Sequence, residues 1–440
     1  MGTQNNGWNS GLAGGFWMLF FQIVFVASGY VCLCLCMAEM SSALPFSGGI
    51  FGFVRASTGP FCGYLVACTE LLLNTTYVAL MVAPIAQLPL YLGLVEETAV
   101  PAVIFAIYCF LLGICCLGGK PFWTMNALLG LSSLAIVAIY LLGTTGEIGS
   151  RLVSFNRFCA SHVPFTAANA LGLRQAGAHQ FLGVQYMPLA SHNLKDPKSQ
   201  LPRMMLLTIA ILFCSAISLA FAACSQAPGI EQLASRPYPL DFGFASMFQR
   251  SLDVGAWLHL PGMLASAFGF FYSYGRQLFS IAKSGLLPKV FAETVPVLET
   301  PWVALCFGSV FCFSMNLWMF YNPNMLAVFR NIATLSLLTV VLFAFVAFLL
   351  FRIKYSTMQR HFTNPIGMVC VVYGFINYGT GFVSIIFFRG NDFTPITTLL
   401  VYLSLATAFY VLYMSKHQTF SEEEKKHMFK AYLINGELYE

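Results

Sequence analysis

The sequence carries very little charge for its length. Only 9% of its 440 residues are Asp, Glu, Lys or Arg, whereas soluble globular domains carry about 25%. Hydrophobic residues make up 58% of the chain, and the mean hydropathy is +0.74. Because so few charges cannot cover a surface exposed to water, the composition excludes a soluble protein. We expect an all-α integral membrane protein in contact with the lipid bilayer.

The chain also lacks the patterns of secreted, metal-binding and catalytic proteins. Its first residues, MGTQNNGWNSGLAGG, have neither a basic start nor a short apolar core, so we expect no cleavable signal peptide. Cys32, Cys34 and Cys36 are spaced by two, which points them in divergent directions on a helix. We find no nucleophile–base cluster, metal-ligand spacing or phosphate loop. We therefore expect no enzyme activity, no metal and no cofactor.

Long apolar runs dominate the rest of the chain, and a run of about 20 residues is enough to cross a bilayer as a helix. A weaker run covers residues 175–193. The clear runs lie at about 16–41, 61–86, 99–117, 124–143, 204–224, 254–281, 302–321, 325–351, 366–388 and 394–414.

The number of runs suggests how the chain is organised. The ten clear runs, the weak run and an incomplete first helix at the N-terminus would make twelve helices. Twelve helices divide into five, five and two, a count typical of transporters with inverted repeats. We expect one transmembrane domain over residues 1–420 and a cytoplasmic tail over 421–440. Within the domain we expect a first repeat at about 1–145, a second at about 175–351 and extra helices at about 364–415.

Basic residues are distributed unevenly between the two sides of the predicted membrane. If the loop after the first full span is cytoplasmic, 15 of the 22 Lys and Arg residues lie on cytoplasmic sides and 7 on outer sides. This bias follows the positive-inside rule. It accounts for the net charge of +5 without a nucleic acid partner. We expect a multi-pass protein, of the plasma membrane, with a cytoplasmic C-terminus.

The weak run leads into a charged loop, and together they read AHQFLGVQYMPLASHNLKDPKSQLPR (178–203). Gly183 and Pro188 weaken a helix here, and His179, Gln180 and Gln185 are polar side chains that need partners inside a membrane. A discontinuous helix lining a water-accessible cavity at mid-membrane satisfies both demands, and such a cavity holds small charged solutes. The alternative is a kinked helix whose polar groups bond to neighbouring helices.

Acidic and polar side chains within other runs are candidates for function. Glu70 is the only acid well inside a span, so it is a candidate proton carrier, with a hydrogen-bonded structural role as the alternative. Asn74 is a second polar residue at membrane depth. Glu39 lies at a helix end, where we expect it to pair with Arg55 or Arg276.

Three stretches resemble the amino acid–polyamine–organocation transporters. The first is FLGVQYMPLASHNLKDPKSQLPR, which resembles the sixth helix and its K-D/N-P-x-x-x-x-P-R loop. The second is GWNSGL with AEMSSALPFSGGIFGFVRASTGPFCGYLVACTE, and the third is FGFFYSYGRQLFSIAKSGLLPKVFA. The GWN opening and the YGRQLF wording resemble the amino acid and ethanolamine permeases in particular. Gln185 stands where many members of the family carry Glu.

The resemblance implies a leucine-transporter-type fold of two inverted five-helix repeats around a central solute site. It implies that cytoplasmic loop or gate positions fall on Glu39, Asp196, Arg203 and Arg276. The substrate contacts that it implies fall on the third helix at Asn74 and Thr75, on the sixth at His179, Gln180, Phe181, Gly183 and Gln185, and on the eighth at Ser266 and Phe270.

The chain departs from the family at its start, because it enters the first-helix pattern only at Gly7-Trp8. We therefore expect the first half-helix of the family to be missing. The leading hypothesis is a secondary active transporter of an amino acid or small amine that works by alternating access with a proton as coupling ion. The alternative is a transport-inactive receptor or scaffold that retains the fold.

Overall fold

A computed structural model describes residues 8–46, 48–145, 179–295, 300–388, 393–419 and 425. These residues form helices and connecting turns, with no strand among them. The α-helices are α1 (Phe16–Ala43), α2 (Ile50–Thr58), α3 (Pro60–Tyr91), α4 (Val100–Leu117), α5 (Gly119–Thr144), α6 (Pro197–Cys224), α7 (Ile230–Ser235), α8 (Asp241–Phe248), α9 (Leu252–Leu258), α10 (Leu260–Lys283), α11 (Trp302–Tyr321), α12 (Met325–Lys354), α13 (Met368–Phe387) and α14 (Thr394–Phe409).

Ten helices in the described part of the chain are long and apolar enough to cross a membrane, which confirms the ten runs predicted from sequence. Eight of these spans are α1, α3, α5, α6, α11, α12, α13 and α4 with the short turn before it. A ninth joins α9 to α10, and the tenth extends α14 through a π-helical turn to His417. The division of these helices into two inverted repeats stays a prediction.

Helix α3 forms the centre of the bundle. In its most apolar stretch 89% of the residues are buried, whereas the corresponding figure for α14 is 11%. Helices α2, α10, α11 and α12 all pack against α3. Helices α4, α5 and α14 expose most of their apolar side chains, as expected of surfaces that face lipid. Side chains of α3 that face α10 and α12 are therefore the ones best isolated from lipid.

Small residues let the helices approach one another closely. A Cβ atom on Gly29 of α1 would stand 2.6 Å from the side-chain oxygen of Asn377 on α13. A Cβ atom on Gly63 would stand 2.6 Å from the Cβ atom of Arg55, where α3 crosses α2. Such small-residue contacts replace the hydrophobic driving force that helices lack inside lipid.

The short helices α7 and α8 form a cap at one end of the bundle, the outer end in the expected topology. Asn9, from the GWN motif, donates its side-chain amide to the carbonyl oxygens of Leu233 at 2.8 Å and Arg236 at 2.7 Å, at the end of α7. His259 accepts a hydrogen bond from the Leu240 amide at 3.3 Å and bonds the Gly255 carbonyl at 2.9 Å. His259 is thus a buried packing residue whose ring nitrogens both have partners.

Candidate functional site

The segment 179–193 is interrupted at Gly183, as the sequence predicted. Two 3₁₀ turns, His179–Phe181 and Val184–Asn193, flank a glycine whose φ of 115° is accessible to few residues with a side chain. The Gly183 amide donates to the side-chain oxygen of Gln185 at 3.0 Å instead of bonding within a helix. Pro188 contributes no amide hydrogen to the second turn. Glycine, proline and glutamine therefore act together to keep this segment from forming a continuous α-helix.

The interrupted segment buries polar atoms that lack partners. Gln180 is 2% exposed and Gln185 is 1% exposed. Among the described residues, no group reaches hydrogen-bond geometry with the Gln180 side-chain oxygen or the Gln185 side-chain nitrogen. A buried polar atom without a partner costs about 1–3 kcal/mol. These atoms are suited to bind a polar solute or water. The side chain of His179, a predicted substrate contact, lies outside the described residues.

A polar cluster joins α3 to α10 and consists of Glu70, Asn74 and Gln277. The Gln277 side-chain nitrogen donates to a Glu70 carboxylate oxygen at 2.5 Å. The Asn74 amide donates to the Gln277 side-chain oxygen at 3.4 Å. Each of the three is at most 1% exposed. Glu70 and Asn74 meet one partner because residues four apart lie on the same helix face.

Gln277 was not among the residues predicted from sequence. It lies beside Arg276 in the YGRQLF run, which carries the resemblance to the family. A signal was present, since Gln277 is an uncharged polar residue about two helical turns before the end of α10 at Lys283. Its role depends on the pairing of α10 with α3, which sequence spacing alone does not give.

The polar cluster extends to the interrupted segment through α2. The Phe51 amide, in the first turn of α2, hydrogen-bonds Glu70. This end of the helix favours negative charge. The preceding Gly49 lies against Leu189, since a Cβ atom there would stand 3.2 Å from the Leu189 side chain. Tyr186, in the second 3₁₀ turn, meets the ring of Phe270 on α10, the helix whose Gln277 binds Glu70.

Aromatic side chains form a layer beside the polar cluster. Phe270 of α10 stacks on Tyr77 of α3 with ring centroids 5.0 Å apart and an interplanar angle of 19°. Tyr186 meets the edge of Phe270 at 6.0 Å. The ring centroid of Phe181 lies 5.8 Å from that of Tyr30 on α1. The Tyr30 centroid in turn lies 6.0 Å from that of Tyr378 on α13. The aromatic layer thus consists of six buried residues, namely Tyr30, Tyr77, Phe181, Tyr186, Phe270 and Tyr378.

The remaining predicted substrate contacts are less well connected to this site. The Thr75 hydroxyl donates to the Leu71 carbonyl at 2.8 Å, so it is already satisfied within α3. Ser266 is half-buried, one turn before Phe270 on α10. The structure thus brings Phe181, Gly183, Gln185, Asn74 and Phe270 into one region. Their roles as substrate contacts stay a prediction.

Glu39 pairs with residues that the sequence did not suggest. Arg352, in the last turn of α12, donates one hydrogen bond to each carboxylate oxygen of Glu39, at 3.0 and 2.7 Å. Arg360 donates a further hydrogen bond to this carboxylate at 2.5 Å. The Asn364 amide donates to the same carboxylate at 2.8 Å. The expected pairing with Arg55 or Arg276 is therefore wrong. The end of α12 reaches Glu39, whereas Arg55 is turned toward the Thr419 carbonyl at 2.8 Å.

The other predicted gate residues lie at the same end of the bundle but not in one cluster. A terminal nitrogen of Arg276 contacts the His192 ring at 2.8 Å and so links α10 to the interrupted segment. Asp196 and Arg203, at the start of α6, are both exposed. Neither forms an ion pair with another residue of the described ranges. Of the gate candidates, only Arg276 contacts the segment that carries the site.

Ten apolar spans and a buried polar site between α3, α10 and an interrupted segment define a multi-pass membrane protein built around a central site. The chain belongs to the amino acid permease family, whose model matches residues 6–420. This confirms the resemblance seen in the three motifs and identifies a transporter-type protein, not an enzyme.

Individual relatives are distant but cover most of the chain. The branched-chain amino acid permease BcaP of Bacillus subtilis is 24% identical, over 91% of this chain and 87% of the relative. The methylthioribose transporter of the same organism is 21% identical, over 90% of this chain and 86% of the relative. The human large neutral amino acids transporter small subunit 2 is 25% identical, over 66% of this chain and 56% of the relative.

Proposed function

We propose that the chain is a secondary active transporter of amino acids that works by alternating access and is driven by protons. The observation that carries the proposal is the buried cluster of Glu70, Asn74 and Gln277 beside the interruption at Gly183. A buried acid with amide partners, next to buried side-chain atoms without partners, is typical of a solute or ion pathway rather than of a sealed structural core. The amino acid solute is supported by the family and by the relatives named above.

The solute in this proposal lies between the interrupted segment and the aromatic layer. Gln180 and Gln185 offer an unpaired oxygen and an unpaired nitrogen, which match the ammonium and carboxylate groups of an amino acid. The stacked rings of Tyr77 and Phe270 provide an apolar surface for its side chain. Alternating access then moves the helices that carry these groups around a fixed central site.

Glu70 carries the proton in this proposal. Its carboxyl group is held by the Gln277 side chain and the Phe51 amide. Among the described residues no Lys or Arg forms an ion pair with it. A carboxyl group without a cationic partner is free to gain and lose a proton as its surroundings change between the two states. We also infer a plasma-membrane protein, and the charge bias of the loops supports a cytoplasmic C-terminus.

Substitution of the acid separates proton coupling from solute movement. We expect Glu70→Gln to keep exchange of labelled amino acid across proteoliposome membranes but to lose accumulation driven by an imposed proton gradient. The amide keeps an oxygen acceptor for Gln277 and removes the titratable group. Exposed Glu97, changed in the same way, is the matched control and leaves both activities unchanged.

The possible outcomes separate the parts of the proposal. Gradient-driven accumulation by Glu70→Gln at the wild-type level would remove Glu70 from the coupling mechanism. Exchange without any response of the wild type to a proton gradient would contradict proton coupling while retaining transport. Solute binding without exchange would favour the receptor alternative.

A further inference from the structure

The segment that follows the last membrane-spanning helix lies against the end of the bundle. It covers residues 415–419, which we call the strap. The Thr419 amide donates to the carbonyl of Ser284, the residue after α10, at 3.2 Å. A terminal nitrogen of Arg55, on α2, donates to the Thr419 carbonyl at 2.8 Å. The two backbone groups of one strap residue are thus held by two different parts of the bundle.

Gly285 provides the surface on which the strap lies. It ends α10 in the left-handed conformation, with a φ of 66°. A Cβ atom at this position would stand 2.9 Å from the His417 carbonyl oxygen and 2.9 Å from the Thr419 amide nitrogen. Since these distances are shorter than van der Waals contact, the strap backbone lies directly on the glycine. Any side chain at position 285 would displace the strap.

The residues just before the strap are buried, although most of α14 faces outward. Tyr410 and Met414 belong to an apolar cluster that is separate from the main core. The other buried members of this cluster are contributed by α2, α3 and the end of α10, namely Phe51, Tyr64, Ala67, Cys68, Ile281 and Leu286. The Tyr410 ring lies 5.2 Å from that of Tyr64, and its hydroxyl donates to the Gln418 side-chain oxygen at 3.1 Å. The strap is therefore docked through side chains as well as through its backbone.

The strap joins two elements that flank the polar cluster. Helix α10 carries Gln277, whose side chain donates to Glu70, and α2 packs against α3. Helix α2 is also tied to α12, because the Tyr355 hydroxyl donates to the Ala56 carbonyl at 3.1 Å. The strap adds the end of α10 to this group through Arg55. A movement that parts the end of α10 from α2 therefore breaks one of the two hydrogen bonds that hold the strap backbone.

We propose that the strap is an autoinhibitory contact. When docked, it holds the end of α10 against α2 and slows the helix movements of transport, and when undocked it permits them. This inference rests on the proposed transport function and adds a regulatory contact to it. One protein hydrogen bond shifts such an equilibrium by a factor of roughly two to ten. Two such bonds are therefore enough to slow the movement without preventing it.

Two substitutions weaken the docking of the strap, and each has a matched control. Gly285→Ala places a methyl group against the strap. Gly93→Ala is its control, because Gly93 ends α3 with a φ of 68° and the same backbone hydrogen bonds, but an added Cβ atom there meets nothing within 4 Å. Thr419→Pro removes the amide hydrogen that binds Ser284, whereas Thr419→Ala keeps it. Gln418, with a φ of −63° and a ψ of 138°, already has a conformation that a following proline accepts.

Two measurements follow the strap and its effect. Trypsin cleavage after the exposed Lys416 of the purified protein measures undocking without any transport. We expect Gly285→Ala and Thr419→Pro to raise the cleavage rate roughly two- to tenfold over their controls, because cleavage follows the population of undocked strap. Exchange of labelled amino acids in proteoliposomes measures the effect on transport. Both variants should exchange faster than their controls by about the same factor.

The results that would overturn the inference differ from failure of the transport proposal. Cleavage at the control rate in both variants would show that these contacts do not hold the strap. Faster cleavage with exchange that is unchanged or slower would contradict autoinhibition and leave the strap as a structural contact. Absence of exchange by the wild type and by every variant would instead contradict the proposed function, while the cleavage rates would still report the docking.

Discussion

At the scale of single residues, the buried acids in the described part of the chain have three different environments. Glu39 is enclosed by two arginines and Glu70 by amides. Asp241, at the start of α8 in the cap, is buried, and a terminal nitrogen of Arg236 lies 3.9 Å from its carboxylate. Burial raises the pKa of Asp241 to about 6, and the Arg236 charge offsets part of that effect. These differences assign a stabilising role to Glu39 and leave Asp241 as a group that costs stability when ionised.

The pKa of Asp241 leads to a dependence of stability on pH. Since the ordinary value of an aspartate is 3.8, the folded state binds more protons than the unfolded state between about pH 4 and pH 6. The free energy of unfolding should therefore fall as the pH rises through that window. Asp241→Asn stays neutral and should exceed the wild type by at most about 3 kcal/mol above pH 6, with little difference at pH 4.

Thermal unfolding of the purified protein across pH 4 to 7 measures this difference. The exposed Asp253 is the control, and Asp253→Asn should follow the wild type at every pH. A constant offset between Asp241→Asn and the wild type over the whole range would contradict the assigned pKa.

Single site residues were predictable from the sequence where they are unusual within their own apolar segment. Gly183 and Gln185 stand out because a helix breaker and an amide are unusual in an apolar run. Gln277 does not stand out, because its importance arises from Glu70 and Asn74, which α3 places opposite it. Glu39 illustrates the same limit: its carboxylate was recognised, but its partners are contributed by residues more than 300 positions away.

At the scale of elements, the interruption at Gly183 is the feature that makes a site in the bundle. The φ of 115° is a backbone conformation that an L side chain adopts only with strain. A Cβ atom would meet nothing within 4 Å there, so any cost of a side chain at this position is conformational and not steric. The space around Gly183 is also consistent with a solute lying against its backbone.

Gly183→Ala should therefore lower stability by about 1–2 kcal/mol and reduce solute affinity. Gly113 of α4 is the matched control, because its added Cβ atom also meets nothing within 4 Å, but its backbone is helical. Gly113→Ala should leave binding unchanged and stabilise the helix slightly. Thermal unfolding and binding measurements on the two variants check this pair of expectations. Equal behaviour of the two would show that the Gly183 conformation is not required.

Helical spans were predictable from sequence because each depends on local composition. All ten apolar runs are helices, with ends within a few residues of the predicted ones except where a helix continues beyond the apolar part, as α6 does at Pro197. The weak run at 175–193 was recognised as discontinuous from Gly183 and Pro188. The cap helices α7 and α8 were not predicted as elements, because short helices of six and eight residues give no transmembrane signal.

At the scale of the whole molecule, the Glu39 cluster joins the ends of helices that are far apart in the sequence. Glu39 lies near the end of α1, and Arg352 lies in the last turn of α12. Arg360 and Asn364 belong to the connection from α12 to α13. The carboxylate is fully buried, and the two arginine side chains are 23% and 14% exposed. A buried acid that receives four hydrogen bonds holds these three parts of the chain in one arrangement.

Glu39→Gln should destabilise the whole protein by about 3 kcal/mol, the lower end of the range for breaking a buried ion pair, because both arginines keep some contact with water. Exposed Glu97 provides the control substitution. Thermal unfolding of the two variants measures the effect. A melting temperature of Glu39→Gln equal to that of Glu97→Gln would show that the cluster does not hold the helices together.

The central claim is that an amino acid binds at the interrupted segment and crosses the membrane from there. Exchange of labelled amino acids by the chain in proteoliposomes, measured over a range of concentrations for the wild type, Gln185→Ala and the exposed control Gln200→Ala, tests it most directly. We predict saturable exchange by the wild type and the control, and an affinity roughly tenfold weaker for Gln185→Ala at unchanged expression. An unchanged affinity of Gln185→Ala would place the solute elsewhere, and no exchange of any amino acid by the wild type would contradict the claim altogether.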